Sequence, residues 1–343
     1  MRVYVLGQLV LASVFLTGIH LLVPRLALGG VLFGVTVAEG FASTPQGAAV
    51  VRRYRVHVLA AGLAAPIAIA LAARSGAVNA AGSALLVQAF LCTGAWVAAR
   101  ARTRPHAVAP STLRRAGLAP EGGGSPLLRA LPFLLLALAA VVAAAAFDRY
   151  PARFALHWNG AGIADRWADR SPRAVFEPLL HGAVLCLLLA GVRAATLAFS
   201  PKRPGDARAA ALRRFLQVVM DATGIFMAVL FSAIALGPLV TEGPGLVIAV
   251  AGTGIAALVP ALAIAAARFA SIPTAGPGDG TPDDRWRWGG LFYVNPEDPA
   301  VFVPKRAGLG YTVNLGRPAG VLALVAMLAV PLALALLSAL GGR

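Results

Sequence analysis

A chain of 343 residues that is 59% hydrophobic and 13% charged carries more apolar surface than a soluble core can bury, since soluble domains hold about 25% charged residues. The formal net charge of +16 raises nucleic acid as a partner, but the basic residues fall between apolar runs and form no reading motif. The lipid bilayer is therefore the expected partner, and nucleic acid is not.

The apolar runs recur at about 20 residues, long enough to cross about 30 Å of hydrocarbon as helices that satisfy their own backbone. The predicted fold is all-α, a polytopic helical membrane protein of about eight transmembrane helices. Residues 1–99 form an N-terminal membrane region with spans at 3–23, 56–73 and 77–99. Pro24-Arg25 closes the first run as a membrane helix closes, so that run is expected to be retained; cleavage as a signal peptide would leave seven spans. Residues 25–55, broken by Gly29-Gly30, Glu39-Gly40 and Pro45, read as a loop along the membrane surface. Residues 100–129 are a basic cytoplasmic linker, rich in arginine and ending on a glycine run. Residues 130–268 hold four spans, at 131–147, 175–199, 215–239 and 246–268, and an outer motif at 150–172. Ser171-Pro172 is a helix start, a capping hydroxyl followed by proline at the first helical position. Residues 269–318 form a cytoplasmic polar region, and 319–343 the last span and tail.

Cys92 and Cys186 lie in separate apolar runs without a CxxC pair, which points to small buried side chains rather than a disulfide or a metal site. Placing the loops at 24–55, 100–129, 200–214 and 268–318 on one side gathers most of the 30 Lys and Arg residues there. That side is then cytoplasmic, in an inner or plasma membrane, with the N-terminus and the 150–172 motif outside.

The outer motif reads YPARFALHWNGAGIADRWADRSP. Phe154, Leu156 and Trp158 alternate with Ala155, His157 and Asn159, the period of a short extended segment with one apolar face. Asn159-Gly160 and Gly162 permit tight bends, so the loop is expected to fold back and bring Trp158 near Trp167 at headgroup level. The candidate ligand-binding residues are His157, Trp158, Asn159, Gly162, Asp165 and Trp167. On one reading His157, Asn159 and Asp165 hydrogen-bond across the turn and hold it. On the other they join the two indoles in a recognition surface for a peptide or small ligand arriving from outside. One His and one Asp fall short of a zinc site, so no metal is expected.

This motif resembles the signature of the SdpI-like bacterial membrane proteins, in the segment known as domain of unknown function 1648. The segment LFGVTVAEG, residues 32–40, resembles a Phe-Gly-Val block of the same group. The resemblance implies a role like that of integral-membrane immunity proteins, which protect a bacterium from a secreted peptide toxin and in some cases signal by sequestering a transcriptional repressor. It thus implies a secreted peptide outside and a cytoplasmic regulator inside as partners. The front half and the greater length of the chain depart from it.

The second polar block, residues 286–318, reads WRWGGLFYVNPEDPAVFVPKRAGLGYTVNLGRP. Phe292-Tyr293-Val294 and Val301-Phe302-Val303 flank Asn295-Pro296-Glu297-Asp298-Pro299, predicting two strands paired about a proline-bounded turn. The words FY-x-NP-x-DP and VPKR resemble domain of unknown function 5808. Tyr293, Asn295, Pro296, Asp298, Lys305 and Arg306 are the candidates for docking a cytoplasmic protein; the simpler reading sets Lys305 and Arg306 against lipid phosphates and Glu297 and Asp298 in solvent. Within the spans, Asp221, Arg193 and His181 fall near helix ends, where such groups snorkel or pair. No catalytic constellation or cofactor motif is present, so neither an enzymatic role nor a cofactor is expected. An immunity or signalling role is the first expectation, a secondary transporter the alternative and a structural scaffold the third.

Overall fold

The computed structural model describes residues 2–26, 30–75, 78–109, 125–158, 163–200, 207–272, 279–306 and 309–340. Among them are eight helices long and apolar enough to cross a membrane: α1 (Arg2–Leu26), α2 (Pro45–Arg74), α3 (Val78–Thr103), α4 (Pro126–Ala145), α5 (Pro172–Phe199), α6 (Ala207–Leu236), α7 (Gly245–Ala270) and α8 (Pro318–Leu340). Both faces of these helices are apolar. Along α2, Tyr54, Val58, Ala61, Ala65 and Ile69 are buried, while Leu59, Leu63, Ile67 and Leu71 stand exposed four residues apart. A helix apolar all round with one face outward is built for lipid.

Helices α1 to α3 pack as one bundle and α4 to α6 as another; α7 lies against both α1 and α6, and α8 against α5. Without a hydrophobic force between helices in lipid, small residues and polar contacts must hold such bundles. In the first bundle the side-chain amide of Gln88 donates to the Ser13 carbonyl (3.1 Å) and the Thr17 hydroxyl (2.9 Å), and its oxygen accepts from the Ser13 hydroxyl (2.8 Å). Gly62 lets α2 approach the same place, since a Cβ there would lie 2.3 Å from the Thr17 hydroxyl. In the second bundle Arg193 of α5 meets Asp221 of α6 at 3.4 Å, with both side chains largely buried. Two of the three ionisable residues read from the sequence as pairing or snorkelling therefore pair with each other, and Asp221 lies in the middle of α6 rather than near its end, because the helix begins at Ala207, ahead of the apolar run. Cys92 and Cys186 are buried free thiols.

Two expectations change. The second span begins at Pro45 rather than 56, because the Thr44 hydroxyl accepts from the Gly47 N–H (3.2 Å) and Pro45 occupies the first helical position. Arg52, Arg53 and Arg55 are therefore helical. The segment ahead of it is not a loop on the membrane surface but a buried hairpin, β1 (Val31–Leu32) against β2 (Val35–Thr36). Its tip places Phe33 and Gly34 at φ 47° and 74°, and Phe33 is wedged edge-on between Tyr54 and Trp96 (4.9 and 5.4 Å between centroids).

Six further strands follow, again in antiparallel pairs. β3 (Arg153–Trp158) and β4 (Ala164–Asp169) form a hairpin between α4 and α5. In the second polar block, β5 (Trp286–Arg287) pairs with β6 (Phe292–Tyr293), and β7 (Phe302–Pro304) with β8 (Tyr311–Val313). The two runs expected to pair with each other across the proline turn thus each take an outer neighbour. Their polar link is Asn314, whose amide donates to the carbonyls of Asn295, Asp298 and Ala300.

Replacing Gln88 by Leu removes three polar contacts from the α1–α3 seam. The expected result is a loss of about 1–2 kcal/mol, read as a lower thermal midpoint of the detergent-solubilised protein.

Candidate functional site

The hairpin at one end of the bundle is anchored at its base and open above. Tyr150 and Phe154 pack with Ala143, Ala174 and Val175 in a small apolar cluster under the strands. The Tyr150 hydroxyl donates to the Ala235 carbonyl of α6 (3.0 Å), and burial pushes that phenol up from its ordinary pKa. Arg170 donates to the carbonyls of Asp148 (2.6 Å) and Tyr150 (3.3 Å) and lies 6.0 Å from the Phe147 ring. The Ser171 hydroxyl accepts from the Ala174 N–H (3.2 Å), as its position before Pro172 predicts. The base is thus tied to α4, α5 and α6.

Register decides which side chains share the upper face. The pairs Arg153↔Asp169, Phe154↔Ala168 and Ala155↔Trp167 are regular, then the register shifts on each side of His157↔Arg166 before Trp158↔Ala164. The first shift leaves Leu156 unopposed and exchanges the faces of every residue after it. Simple alternation groups Trp158 with Phe154 and Leu156; the bulge instead sets Trp158 with Arg153, Ala155 and Trp167. These four, with Pro151, Phe154, Pro238, Thr241 and Glu242, line a cleft of about 190 Å³. Trp167 is 46% exposed, and the Arg153 guanidinium lies 5.8 Å from its ring. The two indoles therefore line one cleft, on the face opposite to the one that alternation assigns. Asp165 is exposed on β4. Of the remaining candidates, Asn159 and Gly162 lie outside the described residues, and of His157 only the backbone pairing is described. Pro238, Thr241 and Glu242, the cleft's other wall, come from the end of α6, and nothing in the hairpin motif points to them.

At the opposite end the polar block closes on Arg306, whose side chain is 1% exposed. Its Nε and Nη2 donate to the two oxygens of Asp279 (3.0 and 2.8 Å). Nη1 donates to Asp283 and to the Gly34 carbonyl (3.1 Å), and Nη2 to Thr281 and the Thr36 hydroxyl. Asp283 in turn accepts from the Thr36 N–H (3.1 Å) and hydroxyl (2.7 Å), and the Trp286 ring lies 5.2 Å away. Beside it, the buried Tyr293 hydroxyl donates to Asp298 (2.9 Å) and accepts from the Asn295 amide (3.0 Å). Four of the six docking candidates, Tyr293, Asn295, Asp298 and Arg306, are therefore interior residues that bond to one another or to the front hairpin. Pro296 and Lys305 are exposed. Asp298 is buried rather than solvated, because the turn folds over it; Glu297 stays exposed at 3.4 Å from Arg285.

Burial alone would push Asp279 up, but the charge and hydrogen bonds of Arg306, with those of Thr281, outweigh it and hold that carboxyl below the usual aspartate value. The same carboxylates hold Arg306 above its ordinary value against the opposing effect of burial. Among the described residues no three His, Cys, Asp or Glu side chains gather as a metal site.

Fold and site together define a multi-pass helical membrane protein with a β-hairpin at one end and a closed polar block at the other. Residues 134–181 match a domain of unknown function (DUF1648), and residues 296–321 match a family of unknown function (DUF5808). The first match spans the hairpin and parts of α4 and α5. The second begins at 296, so the FY pair that precedes it lies outside the match. No curated protein and no solved structure matches the chain.

Replacing Arg306 by Met leaves two carboxylates without their cation, and a buried pair broken on one side costs about 3–5 kcal/mol. The expected readouts are a lower unfolding midpoint and protease cleavage within 279–317. Because the folded pKa of Asp279 is lowered, its contribution is complete above the unfolded value of about 3.9 and fades as pH falls through the lower folded value. Acid should therefore release the wild-type block only below about pH 4.

Proposed function

We propose that this protein is an immunity- or signalling-type membrane protein that meets a secreted peptide, or a compound that stresses the cell envelope, at its hairpin. The observation that carries this reading is the cleft between Trp158, Trp167 and the end of α6, on a hairpin whose base is fixed and whose upper face is covered by no element among the described residues. Indoles supply large, rigid contact area at small conformational cost and dominate many recognition surfaces. A space of about 190 Å³ suits one large apolar side chain of a ligand better than a whole small molecule, for which pockets of about 300–1,000 Å³ are usual. The resemblance of the hairpin segment to SdpI-like proteins supports the same reading. The hairpin is taken to face outward and the polar block the cytoplasm, because the basic loops lie at the polar block's end.

A transporter reading draws on Arg193–Asp221, an ion pair held between two membrane helices. Such a pair marks a pathway in some transporters and a structural tie in others. Its side chains are 10% and 14% exposed, which favours the tie.

The test uses cells lacking the protein, challenged with secreted peptides and envelope-active compounds and complemented with variants matched for membrane level. Trp167→Ala should weaken protection by roughly 30-fold in dose, the equivalent of about 2 kcal/mol for an aromatic anchor. The paired change Arg193→Met with Asp221→Leu, which leaves no charge unpaired, should protect as wild type does. The reverse pattern would favour transport. A cysteine in place of the exposed Ile163 should react with an impermeant maleimide added to intact cells; a failure to react there places the hairpin on the wrong side.

A further inference from the structure

Between β5 and β6 the chain turns through Trp288, Gly289 and Gly290, all at positive φ (49°, 72° and 91°). Positive φ is ordinary for glycine and a genuine outlier for a bulky side chain. That strained residue is also 80% exposed, and Leu291 and Phe292 beside it are exposed too. Phe292 meets Trp288 edge-on at 6.1 Å. An indole held out in this way gains nothing from the protein interior, so its reason must lie outside the chain.

The turn is not free to swing. The Trp96 indole N–H of α3 donates to the Gly289 carbonyl (3.0 Å). A Cβ on Gly290 would lie 3.1 Å from the Arg100 guanidinium, and one on Gly289 would touch Val97 at 3.4 Å. The turn is thus fastened to α3 at the level of Trp96 to Arg100. Val97 stands six residues before Thr103, the last residue of α3, or about 9 Å along the helix at 1.5 Å per residue. On that side α3 presents Phe90, Leu91 and Val97 outward, which is lipid-facing surface in a helix of this length and hydropathy. Peripheral segments bury their apolar face by about 5–10 Å at the headgroup and acyl boundary, the depth at which the turn is held. Arg287, exposed at the head of the turn, is placed where phosphates lie.

We propose that the turn from Arg287 to Phe292 is a membrane wedge: Trp288, Leu291 and Phe292 enter the leaflet beside α3, with Arg287 at headgroup level, so that the polar block is seated on the bilayer. The occupant of this apolar patch is lipid because the turn is fastened to α3 beside the exposed Val97, on a helix whose outward side is lipid-facing. This site is independent of what the hairpin binds.

The test places an environment-sensitive fluorophore on Trp288→Cys in the full chain, reconstituted in vesicles of phosphatidylcholine and phosphatidylglycerol. Glu297→Cys, on the same block, serves as the exposed control, and labelled wild type reports any background from the buried Cys92 and Cys186. Expected are blue-shifted emission at 288, protection from aqueous iodide, and quenching by lipids spin-labelled near the headgroup that is roughly twofold or more above the control, as for an interfacial segment. If Trp288→Cys fails to fold, Arg287→Cys carries the same measurement, with quenching confined to the headgroup label. Water-like emission with iodide quenching equal to that at 297 overturns the proposal. So does shielding at 288 that persists in detergent without any lipid dependence, since a protein contact would then cover the patch.

Discussion

The polar end of this molecule depends on one guanidinium. Arg306 is removed from water, which for a lone cation would be prohibitive, and the cost is met only because every nitrogen has a partner at bonding distance. The partners are what give the contact its structural reach. Asp279, Thr281 and Asp283 belong to the block before α8, whereas Gly34 and Thr36 belong to the hairpin between α1 and α2, some 270 positions away. Hydrophobic contact alone could slide. A planar fork facing two carboxylates, two hydroxyls and two carbonyls fixes one register between the front of the chain and its back. The β1–β2 tip must then sit where it does, and with it Phe33 between Tyr54 and Trp96. Gly34 at that tip answers to a second arginine, since a Cβ there would strike the Arg100 guanidinium at 2.7 Å.

The two ends are built on opposite plans. At the polar block, tyrosine, asparagine, aspartate and arginine satisfy one another inside, so little bonding capacity is left to offer a partner. At the hairpin the base is tied down and the strands above it reach the surface. Tyr150, Arg170 and Ser171 find backbone partners, while Trp167, Asp165 and Ile163 remain on the surface. Recognition needs groups that are positioned and accessible, and a fixed base under exposed side chains provides that. This contrast, more than the identity of any single residue, is why the hairpin rather than the block is the better candidate for meeting a ligand.

The sequence made the helices plain and the polar regions opaque, for physical reasons. A span is legible because twenty apolar residues have one explanation; the eight helices fall where hydropathy places them. The start of α2 was also legible, in Thr44-Pro45, but the basic residues at 52, 53 and 55 look like the end of a loop and draw the boundary too far along. Burial of Tyr293, Asn295, Asp298 and Arg306 was not legible, since polar side chains that satisfy each other have the same composition as polar side chains in water. Nor was the bulge at Leu156, which changes no residue type and yet moves Trp158 to the other face. Gln88 is legible by the same physics: a single amide in mid-span of α3, with Ser13 and Thr17 in another span to receive it.

Helix α6 runs from the hairpin to the inner end, and the contacts on it limit the form of any coupling that passes along it. Ala235, near one end of α6, accepts the hydrogen bond that seats the hairpin. Asp221, in its middle, is paired with Arg193 of α5. Arg208, at its other end, donates to the carbonyls of Arg25 and Ile272, where α1 and the segment after α7 leave the membrane, and lies 4.6 Å from the Phe269 ring. A helix held at three levels by different partners does not bend in response to a ligand at one of them; it moves as a rod or not at all. A shift of the hairpin by an ångström or two would therefore reach Arg208 undiminished, but only by stretching the Arg193–Asp221 pair on the way. If the hairpin senses and the inner end reports, the Arg193–Asp221 pair is a contact whose energy the two states must differ in, because it ties the middle of α6 to α5.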